Sequence, residues 1–115
     1  MRKIITVFFL LFAITAFSQS KNERATLLVD GVCLMCKDRI EKACFKTKGV
    51  KSAVWEVHTH KLKLIYNARK TNLDSIEKSV VAVGHDTQKY KATDAVYNAL
   101  HGCCKYRDEE VRNQH

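Results

Sequence analysis

The chain contains no proline, only four glycines, and no internal repeat or low-complexity linker. Without proline, no turn in it depends on a cis-proline bond. Asp and Glu are missing from residues 1–18, and nothing after that stretch is apolar enough to span a bilayer. The chain therefore consists of an apolar, acid-free N-terminal segment followed by a length of sequence that suits one small domain.

Residues 1–18 have the pattern of an export signal. Arg2 and Lys3 precede an apolar run from Ile4 to Ile14, and Ala16-Phe17-Ser18 provides a small-x-small cleavage site. The apolar run is shorter than the roughly 20 residues that cross a bilayer. We therefore expect a cleaved signal peptide and an exported mature chain, periplasmic or secreted, without a membrane span.

The mature chain is basic. The whole sequence has 20 Lys and Arg against 12 Asp and Glu, and losing Arg2 and Lys3 lowers the net charge from +8 to +6. This balance favours acidic partner surfaces. The lysines are scattered without interleaved aromatic residues, so together with the export signal they argue against nucleic acid as a partner.

All five cysteines lie in the mature part, at positions 33, 36, 44, 103 and 104. An odd number cannot pair completely within one chain, so an exported protein must bury a thiol, bind metal with it or use it in redox chemistry. Cys33 and Cys36 form a Cys-x-x-Cys pair at a predicted helix N-terminus. The positive end of the helix stabilises thiolates, which bind soft metals or attack disulfides.

Alternating and helical apolar patterns predict an α+β domain over residues 24–92. The order strand-helix-strand-strand-helix-strand is that of the ferredoxin-like βαββαβ sandwich, with a four-stranded antiparallel sheet and two helices on one face. Residues 93–115 form a C-terminal extension with a short helix. The predicted strands are 25–31, Val50–Val57, Lys61–Tyr66 and Asp86–Ala92, and the predicted helices are Met35–Lys48, Leu73–Val83 and Thr93–Leu100.

The motifs in residues 25–90 resemble the heavy-metal-associated domain family, which includes copper chaperones, copper-pump modules and periplasmic mercury-binding proteins. The resemblance implies a ferredoxin-like fold in which Cys33 and Cys36 hold one soft metal ion, usually Cu(I), for transfer to a partner. The matching residues are Val29-x-Gly31, Cys33-x-x-Cys36, Ile40-Glu41-x-Ala43, Gly49-Val50, Leu62-x-Leu64-x-Tyr66-Asn67 and a helix ending at Gly84.

Three further residues are candidate metal ligands. The topology brings His85 to the same end of the sheet as the Cys-x-x-Cys pair, although a surface histidine beside Asp86 is the alternative. The chain before Cys103 and Cys104 is long enough to return there. That pair then either binds metal or forms a disulfide with Cys33, Cys36 or Cys44. Two thiolates suit Cu(I) or Hg(II), whereas four favour Zn(II) or a small copper cluster.

We expect the remaining candidates to have structural roles. Cys44 is predicted to be a buried thiol, and Met35 to cover the loop, with a thioether bond to Cu(I) as its alternative. His58 and His60 are expected to be solvated hairpin residues. Lys37 is expected to offset the negative charge of the site.

These features predict an exported soft-metal carrier, buffer or chaperone rather than an enzyme, docking with an acidic face of a metal-donor or metal-acceptor protein. A mercury-binding carrier is one alternative. A thiol-disulfide oxidoreductase is another, although the missing cis-proline and the strand order argue against it. The third is a disulfide-closed interaction domain that binds no metal.

Overall fold

The computed structural model describes residues 21–115, so the expected signal peptide, residues 1–18, lies outside the described part. Within residues 21–115, no helix has both the length and the apolar character of a membrane span. The elements in chain order are β1 (Asn22–Leu28), α1 (Leu34–Lys46), β2 (Val50–Trp55), β3 (Lys61–Asn67), α2 (Leu73–Ala82), α3 (Asp94–Asn98), a 3-10 helix (Gly102–Cys104) and α4 (Glu109–Asn113).

The strands form an antiparallel sheet in the order β1-β3-β2. Asn22 of β1 pairs with Asn67 of β3. β2 pairs with the other edge of β3, and a bulge between Val50 and Ser52 interrupts the register. The two long helices bury one apolar stripe each against the sheet, which confirms the predicted α+β class. The core residues of these elements include Cys36, Ile40, Cys44, Ala53, Trp55, Leu62, Leu64, Ile76 and Val80.

The predicted fourth strand, Asp86–Ala92, is wrong for the described chain, where the sheet has three strands. Its place beside β1 is marked by one isolated bridge between Val29 and Thr87. The Thr87 N–H donates to the Tyr90 carbonyl at 2.9 Å, and the Ala92 N–H donates to the Asp86 carboxylate at 2.7 Å. Because these local acceptors take the backbone donors, the segment turns instead of extending along β1.

The C-terminal extension packs at this edge and is part of the core. The Tyr106 hydroxyl donates to the Gly84 carbonyl at 2.6 Å and accepts from the Asp86 N–H at 3.0 Å. Arg107 donates to both carboxylate oxygens of Asp86, at 2.8 and 3.2 Å. The helix predicted over Thr93–Leu100 is shorter, Asp94–Asn98, and Thr93 caps it.

His85 lies beneath the extension rather than on the surface. It is fully buried, its ring stacks on Tyr106 with 5.4 Å between centroids, and Nδ1 donates to the Asp30 carbonyl at 2.9 Å. Burial lowers the pKa of His85 to about 4, and the nearby Arg39 charge acts in the same direction. The imidazole is therefore neutral at pH 7.

Tyr106→Phe tests whether the extension is held by the hydroxyl. The change leaves a buried carbonyl and a buried N–H without their partner, so we expect it to lower the free energy of unfolding by about 1–3 kcal/mol in urea denaturation. Tyr90→Phe is the matched control, because its hydroxyl bonds to Asp74 at a more accessible site. Equal stability of Tyr106→Phe and wild type would contradict this account.

His85 makes stability depend on pH. Its folded pKa is depressed, so the unfolded chain binds more protons between about pH 4 and 6.5, and acidification favours unfolding. From pH 7 to pH 5 we expect this residue to remove about 2 kcal/mol of stability. Urea denaturation of His85→Phe should lack that part of the loss, whereas the exposed control His101→Phe should keep it. An unchanged pH profile in His85→Phe would refute the assignment.

Candidate metal centre

The loop between β1 and α1 rests on Trp55. The indole Nε1 donates to the Val29 carbonyl at 3.0 Å, which ties the loop to β2. A Cβ added at Gly31 would lie 2.9 Å from the Trp55 ring and 3.1 Å from the Cys36 Cβ. Glycine is therefore required where the loop passes between the tryptophan and α1. This close approach brings Cys33 to the helix start.

Cys33 is the N-cap residue of α1, which begins at Leu34, one residue before the predicted start. Its carbonyl accepts from the Lys37 N–H at 3.1 Å, which closes the first helical turn. Glu41, one turn further, accepts from the Trp55 N–H at 2.8 Å and fixes the helix to β2. The Cys-x-x-Cys turn is thus held from both sides.

Four thiols meet at this helix end. The Cys33 sulfur lies 3.3 Å from Cys36, 3.3 Å from Cys104 and 3.9 Å from Cys103. Cys103 and Cys104 are 3.9 Å apart, and the Met35 thioether lies 3.5 Å from Cys103. The structure therefore brings the Cys-x-x-Cys pair together with Cys103 and Cys104, the second pair identified from the sequence, and Cys33 contacts all of the others.

The spacing of the sulfurs fits metal coordination. All five cysteines are free thiols, so the alternative disulfide from the tail to Cys33, Cys36 or Cys44 is not formed here. Sulfurs bound to one tetrahedral ion through bonds of about 2.3 Å lie about 3.8 Å apart, and a linear pair lies about 4.6 Å apart. The observed separations of 3.3–3.9 Å are closer to the first arrangement.

The sulfurs do not all surround one point. Cys33, Cys103 and Cys104 have ligand atoms within 4.8 Å of one another, and they form the one such group found among residues 21–115. Cys36 contacts Cys33 but does not belong to this group. The arrangement is therefore a triad with Cys36 beside it, and Cys36 interacts with both Cys33 and Cys104.

The site is largely enclosed. Cys36 and Cys104 are fully buried and Cys33 is 9% exposed, because the extension covers the helix end. Cys103 is exposed. A surface groove reaches Cys33 and Cys103, and its other walls include Leu34, Met35, Trp55, Val57, His58 and His115. An entering ion therefore meets Cys103 and Cys33 before the buried thiols.

The four thiols differ in their tendency to ionise. Burial disfavours the Cys33 thiolate, but the Cys36 N–H and the neighbouring thiols outweigh it and lower its pKa. Burial raises the pKa of Cys36, and raises that of Cys104 to about 12. Desolvation and the adjacent sulfurs raise the pKa of Cys103 to about 11. Cys33 is thus the preferred thiolate, on which the other thiols converge.

The cation that acts on a thiol of the cluster is Arg39, whereas Lys37 lines the same groove but is held by other partners. The Lys37 amino group binds the Glu41 carboxylate at 2.6 Å and the Trp55 carbonyl at 2.9 Å. Arg39 interacts with Cys104 and lowers its pKa, against the larger effect of burial. Its Nη1 is buried without a hydrogen-bond partner among the described residues. Sequence reasoning missed Arg39, although its position three residues after Cys36 places it on the same helix face.

The remaining candidates lie apart from the triad. Cys44 is fully buried as predicted, and burial raises its pKa to about 12. The His85 Nε2 is buried without a partner among residues 21–115, and His85 is not in the cysteine group. His60 stacks on Trp55 with 5.7 Å between centroids, and His58 lines the groove. Burial rules out the surface role considered for His85, and its role as a metal ligand stays a prediction.

No protein-family model matches the chain. A copper-exporting P-type ATPase of Staphylococcus saprophyticus is 37% identical over 71 residues, which is 61% of this chain and 9% of the ATPase. A second such ATPase, from Staphylococcus epidermidis, is 29% identical over 77 residues and is covered over 10% of its length. The sequence similarity is thus confined to a small part of these much longer proteins.

Solved structures match the fold. The Cu(I)-loaded N-terminal domain of a potential copper-translocating P-type ATPase from Bacillus subtilis has a TM-score of 0.56 at 24% identity, covering 65% of this chain and 95% of that domain. Oxidized MerP from Ralstonia metallidurans CH34 gives 0.56 at 24%, covering 58% and 94%. A CopZ metallochaperone gives 0.55 at 24%, covering 56% and 98%.

These comparisons agree with the motif analysis. The matched structures are covered almost completely, whereas at least a third of this chain lies outside each match. The resemblance to heavy-metal-associated domains that the motifs predict is confirmed: the chain is similar in sequence to copper-exporting ATPases, and in fold to a CopZ metallochaperone, to MerP and to a copper-ATPase domain.

Proposed function

We propose that this chain is an exported Cu(I)-binding protein that acts as a carrier or buffer, with Cys33 and Cys36 as ligands and Cys103 and Cys104 completing the site. The observation that supports it most directly is the convergence of three thiols on the Cys33 sulfur at 3.3–3.9 Å. Binding releases protons from the thiols and needs no catalytic group.

The donor set favours a soft, monovalent metal. Thiolate and thioether sulfurs select Cu(I), and the Met35 sulfur adjoins Cys103. The names of the similar ATPases and of the Cu(I)-loaded ATPase domain also indicate copper. Zn(II) and Hg(II) are the competing cargoes, because both bind thiolates. The chain spans about a tenth of the matching ATPases, so we propose metal binding alone, without the pump activity.

The enclosed site suits holding an ion and releasing it by ligand exchange. Cys103 is the exposed thiol, so an incoming thiolate from a partner first replaces this ligand. The net positive charge of the chain favours a metal-donor or metal-acceptor protein with an acidic docking face. A carrier role therefore requires a partner that reaches the groove beside Cys33.

The double variant Cys33→Ala, Cys36→Ala tests the site. Removing the central thiolate and its closest neighbour leaves Cys103 and Cys104, so we expect the Cu(I) affinity, measured by competition with a colorimetric chelator, to fall at least 100-fold. Cys44→Ala is the matched control: it removes a buried thiol outside the cluster and should leave the affinity unchanged.

An unchanged Cu(I) affinity in the double variant would refute the assignment of Cys33 and Cys36. Circular dichroism of both variants establishes that the comparison is between folded proteins. Catalytic reduction of insulin by the wild-type chain, with loss of turnover in Cys33→Ala, would favour the thiol-disulfide oxidoreductase instead. Higher affinity for Zn(II) or Hg(II) than for Cu(I) would replace the proposed cargo.

The export proposal predicts the mass of the protein recovered from its own cell. We expect the intact mass of protein from the periplasm or medium to correspond to loss of residues 1–18, because Ala16-Phe17-Ser18 matches a signal-peptidase site. Native mass spectrometry of the same sample should report bound copper. Full-length protein recovered from the cytoplasm would contradict export, while leaving the metal assignment to the chelator experiment.

A further inference from the structure

We propose that the sulfur cluster takes two Cu(I) ions at once, with the Cys33 thiolate shared between them. This inference rests on the proposed function, since it specifies the stoichiometry of the same site. It goes beyond the single ion that a Cys-x-x-Cys pair holds.

Cys33 belongs to two sets of donors. It lies 3.3 Å from Cys36, which also interacts with Cys104, and it forms the triad with Cys103 and Cys104. Cys36 is outside the triad, so one ion centred between Cys33, Cys103 and Cys104 does not use it fully. Two ion positions that share Cys33 use every thiol of the cluster.

The number of donors also exceeds what one Cu(I) ion uses. Low-coordinate Cu(I) is satisfied by two or three sulfurs, and this site supplies four thiols and the Met35 thioether within a chain of contacts of 3.3–3.9 Å. The inner position has Cys33 and Cys36, with Cys104 beside them. The outer position has Cys33 and Cys103, with Met35 at its edge.

Charge favours two monovalent ions over one. With all four thiols ionised, one Cu(I) would leave three negative charges in a site where Cys36 and Cys104 are fully buried, and a second Cu(I) would remove one of them. Buried charge is costly unless it is compensated. Arg39 is the compensating side chain found at Cys104, and the Lys37 ammonium is engaged by Glu41.

The two positions also differ in access. Cys103 is exposed and Cys33 lines the groove, whereas Cys36 is fully buried. The outer ion is therefore the one that a partner thiolate reaches first. The inner ion is held behind it, so the two ions should leave at different rates.

The test is anaerobic titration of the fully reduced chain with Cu(I), followed by native mass spectrometry. We expect wild type to accumulate a form with two Cu(I) ions per chain. Cys103→Ala, at an exposed position, and Cys36→Ala should each stop at one ion, a twofold loss. Cys33→Ala should retain no ion against a chelator, and Cys44→Ala should still bind two. Circular dichroism checks the fold of each variant.

The outcomes separate this inference from the proposed function. Saturation of wild type at one Cu(I) would overturn the two-ion proposal and leave Cu(I) binding intact. No bound Cu(I) would overturn both. Two ions in wild type with one retained tightly by Cys33→Ala would exclude Cys33 as the shared ligand. A Cu–Cu scattering contribution in X-ray absorption of the two-ion form is expected only if the ions are neighbours.

Discussion

The docking of the C-terminal extension against the backbone of Gly84–Asp86 is the constraint on which the site depends. Tyr106 takes the Asp86 N–H and the Gly84 carbonyl, and Arg107 takes the Ala92 carbonyl, so backbone groups in and beside the predicted fourth strand hold the extension at the sheet edge. Cys104 is only two residues before Tyr106, so this anchor fixes its sulfur against Cys33. Without it, the helix end carries two thiols instead of four.

Local sequence patterns predict most of the elements and half of the site. The apolar stripe of α1 and the alternation in β2 and β3 are short-range signals, and the structure confirms them. The missing fourth strand depends on local acceptors at Tyr90 and Asp86, and Asp86 is in turn held by Tyr106, 20 residues away, a contact that no local pattern contains. Likewise, the length of the chain shows that Cys104 is able to reach Cys33. Only the folded structure shows that these two residues, 71 positions apart, are in contact.

The charges show the same limit. Lys37 and Arg39 both follow the Cys-x-x-Cys pair, and the sequence alone favours the nearer one. In the fold, Glu41 and the Trp55 carbonyl attract Lys37, whereas Arg39 lies on the buried side of α1 next to Cys104. Which of the two cations interacts with the thiols therefore depends on contacts with β2 and the extension, which lie far away in the sequence.

The adjacent positions of Cys103 and Cys104 have one more consequence. Cys103 and Cys104 are neighbours in the chain, yet the Cys103 sulfur is exposed to solvent and the Cys104 sulfur is fully buried. The edge of the core therefore passes between two of the proposed ligands. Ligand exchange at the Cys103 sulfur needs no opening of the core, while water remains excluded from the Cys104 sulfur. In the proposed metal site, the rate of ligand exchange would therefore depend on Cys103 and the strength of retention on Cys104, two consecutive residues.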